Sequence, residues 1–214
     1  MRDERGFTLV EFLIAAAIMT AVLGGSVMLA SQIQQAYSTQ LDDSTVEEEV
    51  RFTLDWIAQA LRNAGSNPYN IDSLATSCPA GGTFTELASD PNANMADDDI
   101  RIHADINPPN GLLGGPSGNC LEKNEDITIA LDPVEMWITR HDNSMESAPV
   151  VMTEPVISGL EFIYLDSNRA VTTNPNQAAW VRVRVTGQPP SYSAQLGAGR
   201  TTTLETDVRV RTRP

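Results

Sequence analysis

The chain has 214 residues, 20% of them charged, and a formal net charge of −14. Lys123 is its only lysine. That balance excludes a general nucleic-acid binder, which needs a basic footprint. The charge is uneven: residues 179–214 hold Arg182, Arg184, Arg200, Arg209, Arg211 and Arg213 against Glu205 and Asp207, and the rest is strongly acidic. Such asymmetry fits assembly between subunits.

In chain order, Met1 to Gly6 is a short segment in which Arg2 and Arg5 balance Asp3 and Glu4. An apolar run follows, with Glu11 near its start and no charge from Phe12 to Ala30. This run is longer than the roughly 7–15 residues of a secretory apolar region and suits one membrane crossing. Its best signal-cleavage candidate, Met28-Leu29-Ala30, has a poor residue two before the alanine, so we expect the segment to be retained. A carboxylate at the edge of hydrocarbon costs roughly 2.5–3.5 kcal/mol on insertion scales and calls for a partner, unless it sits at the interface.

One helix is expected from residue 7 to about 63. Ile33, Tyr37 and Leu41, then Val46, Val50, Leu54, Ile57 and Leu61, recur at three- and four-residue steps. Gly24-Gly25 is its weak point, and Gly65 with Pro68 marks its end. Acidic residues Asp42, Asp43, Glu47, Glu48 and Glu49 form either a solvated face or one that meets a neighbour's arginines. Residues 65–125 read as a loop region with a short strand from Ile100 to Ile106. Residues 126–214 read as mainly β. Ile127, Ile129 and Leu131 alternate with polar residues. So do Val134, Met136 and Ile138, then Val181, Val183 and Val185, then Val208 and Val210, and residues 156–165 make a longer apolar strand. Short connections favour an antiparallel sheet, with the amphipathic half of the helix as its cover. The fold class is α+β, one long N-terminal helix packed on an antiparallel sheet.

Cys78 and Cys120 would lie beyond the membrane, where disulfides persist. A bridge closing about 42 residues is worth roughly 4 kcal/mol in the chain-entropy model. Free thiols or half of a metal site are the alternatives, but no CxxC is present and His103 and His141 are not at ligand spacing.

Gly6-Phe7-Thr8-Leu9-Val10-Glu11 resembles the processing site of the type IV pilin family. The resemblance implies that a prepilin peptidase cuts between Gly6 and Phe7 and that Phe7 is N-methylated. It implies that Glu11 pairs with the N-terminal amine of a neighbouring subunit. The chain then divides into a leader (1–6), a transmembrane and filament-core segment (7–30) and a periplasmic pilin-like domain (31–214). Residues 51–65, 156–166, 180–185 and 208–211 are similar to PilW-type minor pilins and the related GspJ pseudopilins of type II secretion, and the Ala64-Gly65 helix end favours the former. This resemblance implies a non-enzymatic minor subunit without cofactors that primes pilus assembly and sits at or near the tip. Its implied partners are the major pilin, other minor pilins and the inner-membrane assembly platform. It would be a single-pass inner-membrane protein before assembly and part of a surface pilus afterwards. The rival readings are a type II pseudopilin and a membrane-anchored periplasmic binding module.

Enzyme signatures are missing. Gly115-Pro116-Ser117-Gly118 falls short of a GxSxG elbow, and no P-loop, HExxH or GxGxxG occurs. Asp97, Asp98 and Asp99, with Asp90, Asn92 and Asn94, offer hard oxygens for calcium but lack EF-hand spacing, so a solvated acidic loop is expected and no metal is assigned. Arg182 and Arg184 should share one sheet face, as should Arg209 and Arg211. On adjacent strands these like charges would stand side by side. Such a face would meet an acidic surface of a partner, or be a wet face paired locally with Glu205 and Asp207.

Overall fold

The computed structural model describes residues 8–189 and 201–211. The chain falls into two units, Met1–Asp42 and Asp43–Pro214. One helix, α1 (Leu9–Asn63), runs from the first unit into the second. Thr8 starts it with a capping box. The Thr8 N–H and Oγ1–H both donate to Glu11 Oε2 at 2.9 Å, and the Glu11 N–H donates to Thr8 Oγ1 at 3.3 Å. Together they satisfy N-terminal groups that a bare helix end leaves open.

In the second unit α1 buries Val46, Val50, Thr53, Leu54, Ile57, Ala58 and Leu61. The 3.6-residue period places these on one face. Ile33, Tyr37 and Leu41, expected on the same stripe, are instead exposed. Gly65 ends the helix at φ +75°. A side chain there would be strained, and a Cβ would lie 2.5 Å from the Arg211 carbonyl oxygen.

Among the described residues the strands make two antiparallel sheets rather than the one expected. The first holds β1 (Leu87–Ser89), β2 (Asp99–His103), β3 (Asp126–Asp132), β4 (Trp137–Asp142) and β5 (Val150–Val151), in that spatial order. The second holds β6 (Ile157–Leu165), β7 (Trp180–Gly187) and β8 (Thr202–Arg209). β6 lies against β2, β3 and β4. Its Ile157 N–H donates to the Met136 carbonyl and its Phe162 N–H to the Asp97 carbonyl, both at 2.8 Å. The second half of α1 packs against both sheets in one core with Ile100, Ile129, Ile138, Phe162, Val183 and Val208. This is an α+β pilin-like architecture. At Gly187 a Cβ would fall 2.5 Å from Val50 Cγ2 and 2.7 Å from Val46 Cγ1, so helix and sheet approach there only because no side chain intervenes.

Two local expectations are corrected. Val134 and Met136 belong to a tight turn, not to a strand. Asp132 Oδ1 accepts the Val134 and Glu135 N–H groups, Met136 takes φ +58°, and Val134 is exposed. A carboxylate that satisfies turn amides outweighs a two-residue apolar alternation. The region 65–125, read as loop apart from one strand, also contains β1, whose Leu87 is buried against the core.

Candidate functional site

The apolar part of α1 is the most distinctive surface. Within it lies a stretch long and apolar enough to cross a membrane, and none of that stretch is buried. Leu9, Phe12, Leu13, Ile14, Ile18 and Val22 all point into open space. An apolar helix with no protein cover needs another apolar phase, either lipid or the helices of neighbours. Gly6 and Phe7 lie outside the described residues. Glu11 sits in the first turn of this helix, with Thr8 as its local hydrogen-bond partner. The Thr-x-x-Glu spacing at 8–11 signals that capping box in the sequence alone.

The β7 arginines on the second sheet follow the wet-face alternative, paired locally with Asp207 and Glu205, rather than standing as a like-charge array. Strand register sets Arg182 opposite Asp207, Arg184 opposite Glu205 and Glu161, and Arg209 opposite Trp180. Arg182 donates through Nε to Asp207 Oδ1 at 2.7 Å, and Arg184 reaches Glu161 Oε2 at 2.7 Å and Glu205 Oε2 at 3.2 Å. The Arg182 hydrogen bond holds the Asp207 carboxyl below its ordinary range. Arg169 stacks 4.6 Å from the Trp180 ring centroid. The face is therefore a lattice of local pairs, with Arg209 and Arg211 exposed at its edge. Alternation in sequence cannot reveal that register, because it depends on where β8 begins relative to β7.

A disulfide joins Cys78 and Cys120, with Cα atoms 5.7 Å apart. Buried carboxylates hold the segment around it. Glu125 accepts the Ile106, Asn107 and Gly114 N–H groups at 2.9, 2.6 and 2.8 Å. Burial raises its carboxyl from the ordinary value against the pull of those amides. Asp105 accepts the Asn110 and Gly111 N–H groups, and Asp142 accepts those of Asn124 and Ser144. Asp126 is clamped by Arg101 at 2.7 and 2.6 Å, and His103 Nε2 lies 3.4 Å away. Burial would raise the Asp126 carboxyl, but the hydrogen bonds and charges of Arg101 and His103 outweigh it and hold the group well below the usual range. Sequence reading missed these acids as loop anchors; their clustering beside Gly, Asn and Pro was the available signal.

The acidic loop before β2 is tied up internally. Asp90 accepts the Asn94 and Met95 N–H groups, and Asp99 Oδ2 accepts the Asn92 N–H at 3.1 Å. Asp99 is buried, which pushes its carboxyl up to about 6. Among the described residues no group of three or more His, Cys, Asp or Glu side chains is placed to hold a metal ion. Ser117 sits in a turn, its N–H donating to the Thr76 carbonyl. His141 Nε2 is 3.0 Å from the Glu146 carbonyl oxygen, and His103 Nδ1 accepts the Thr85 N–H at 3.2 Å.

Several hollows flank the second half of α1. One, of about 280 Å³, is lined by Trp56, Ala60, Ile102, Ile106, Ile127 and Arg140. Another, of about 570 Å³, lies beside Phe52 and β5.

Residues 1–27 match the family model described as the Prokaryotic N-terminal methylation motif. No curated protein and no solved structure matches the chain. The motif supports a type IV pilin-like or pseudopilin-like protein. It implies processing by a prepilin peptidase and work within pilus or secretion machinery, and its family is typically structural rather than enzymatic. With the apolar helix, it fits a membrane-anchored single-pass protein.

Proposed function

We propose that this chain is a minor subunit of a type IV pilus, cut between Gly6 and Phe7, N-methylated at Phe7, and incorporated at or near the tip, where it primes assembly. The observation that carries this reading is the methylation motif running directly into an apolar helix with no protein cover. Held in the membrane, that helix is solvated by lipid; drawn into a filament, it is solvated by other helices. Glu11 supplies direction to the exchange. Its carboxylate is costly in hydrocarbon, and pairing with the methylated amine of the next subunit relieves that cost. In the unassembled chain Thr8 is its local partner. The disulfide and the buried acids stiffen a periplasmic domain that must survive at the cell surface, and the major pilin, other minor pilins and the assembly platform are its partners.

The minor role and the PilW-type assignment rest on the resemblance of residues 51–65, 156–166 and 180–185. A GspJ-like pseudopilin of a type II secretion system is the second reading, favoured by the same strands. Mass spectrometry of the mature N-terminus tests processing: the expected peptide begins with methylated Phe7, and an unprocessed or signal-cleaved chain overturns both readings. Deletion in the native host separates them. Lost pili with intact secretion supports the pilus assignment, and lost secretion with normal pili supports the pseudopilin.

A further inference from the structure

The hollow beside Phe52 combines exposed apolar side chains with several carboxylates. Phe52 is 52% exposed on α1, and Val150 and Val151, the whole of β5, are each 46% exposed. Phe52 and Val151 line one hollow of about 570 Å³ with Thr45, Glu48, Glu49 and Glu154. A second hollow of about 410 Å³ on the other side of Phe52 adds Ser44, Glu47 and Arg51. Half-exposed large apolar side chains gathered around open space, rather than scattered singly, mark an interaction surface.

The rim states what fits. Glu47 is paired with Arg51 at 2.5 Å, and Glu49 Oε1 accepts the Glu154 N–H at 2.9 Å. The carboxylates of Glu48 and Glu154 have no cationic partner among the described residues. The apolar centre is thus ringed by four carboxylates and one guanidinium. β5 also ends its sheet: it pairs with β4 on one side, and among the described residues no strand lies on the other. An open strand edge beside apolar side chains accepts an extended segment, which supplies main-chain hydrogen bonds and side chains for the hollow. A second copy of this chain has its β7 arginines already paired with Asp207, Glu161 and Glu205, and its net charge of −14 repels.

We infer that the Phe52–β5 surface is the docking site for a basic, extended segment of a different subunit in the same filament. The partner's apolar side chains enter the hollow beside Phe52, and its lysines or arginines meet Glu48 and Glu154. This rests on the filament reading and names the chemistry of one neighbour within it. The acidic rim sets orientation and selects against acidic neighbours, and the apolar centre supplies the contact.

The test uses the full chain in its native host, with p-benzoylphenylalanine in place of Phe52 in one strain and in place of Phe12 in another. Phe12 lies in the apolar segment and reports filament entry alone. After irradiation, adducts are identified by mass spectrometry to the crosslinked residue. The expected result is a Phe52 adduct to a different subunit, at a residue flanked by Lys or Arg. Its yield should fall about fivefold or more with Glu48→Lys and less with Glu48→Gln. Both variants are at an exposed position, and an intact Cys78–Cys120 bridge in each confirms the fold. A Phe12 adduct without a Phe52 adduct overturns the docking site while leaving the filament reading standing. So does a Phe52 adduct to a second copy or to an acidic segment, or one that Glu48→Lys does not weaken. Absence of both adducts overturns the filament reading and the docking site with it.

Discussion

The two ends of α1 are the same secondary structure put to opposite uses. Up to Leu41 the helix buries no described residue, and from Val46 to Leu61 it buries seven. Both ends are rich in apolar side chains. What differs is their distribution: all round the cylinder at the start, along one stripe at the end. An all-round apolar helix cannot be satisfied by one sheet and must be surrounded, whereas a striped one is complete when one face is covered. The first end is suited to an apolar environment that the described residues do not supply.

The sharpest way to break the comparison is to truncate one isoleucine at each end. Ile57 is 0% exposed and Ile18 is 59% exposed. Ile57→Ala should cost about 3 kcal/mol of domain stability. Ile18→Ala should leave the same transition unmoved, in urea melts of the full chain in detergent followed by the fluorescence of Trp56, Trp137 and Trp180. Equal effects would mean that both ends of the helix belong to one folding unit. The glycines offer a second contrast. Gly187→Ala drives a Cβ into Val46 and Val50 and should cost about 2 kcal/mol. Gly24→Ala meets nothing within 4 Å and should only raise helix propensity, by up to about 1 kcal/mol.

The buried acids make the stability of the domain depend on pH. The buried Asp99 carboxyl titrates near 6 in the native domain, above its unfolded value of about 4. The native state therefore binds the proton more tightly, and stability rises as pH falls from above 6 towards about 4. Glu125, also raised by burial, acts in the same direction. Asp126 acts oppositely: its contribution is present above about pH 4 and is lost on further acidification. Thermal midpoints should therefore rise from pH 7 to 5 and fall below 4. Asp99→Asn should flatten the first limb, and an unchanged slope would remove Asp99 from the account. The smallest effect is expected on the wet face of the second sheet. Arg184→Gln should leave the midpoint within error, because exposed pairs contribute little.

Much of this architecture was legible before any coordinates. Val46, Val50, Leu54, Ile57 and Leu61 announced the buried stripe by their spacing, and the alternation in β7 and β8 announced a half-buried sheet. Other features were illegible for physical reasons. β1 and β5 are three and two residues long, too short for a period to register. Ile33, Tyr37 and Leu41 continue the stripe's spacing but end up exposed, because periodicity reports a face and not what covers it. The Thr8–Glu11 capping box lay in plain view as a Thr-x-x-Glu spacing and went unread beside the stronger processing signal.

The sequence by itself determined the processing motif, the uncharged run from Phe12 to Ala30, the long helix and the α+β class. These follow from local composition and period, which act between residues close in the chain. Tertiary structure alone decided the division into two sheets, the pairing of Arg182 with Asp207 and of Arg184 with Glu161 and Glu205, the burial of Asp99, Glu125 and Asp126, and the open hollow beside Phe52. Each of these depends on strand register or on segments brought together across long stretches of chain. A shift of one residue in β8 would turn every side chain on that strand to the other face.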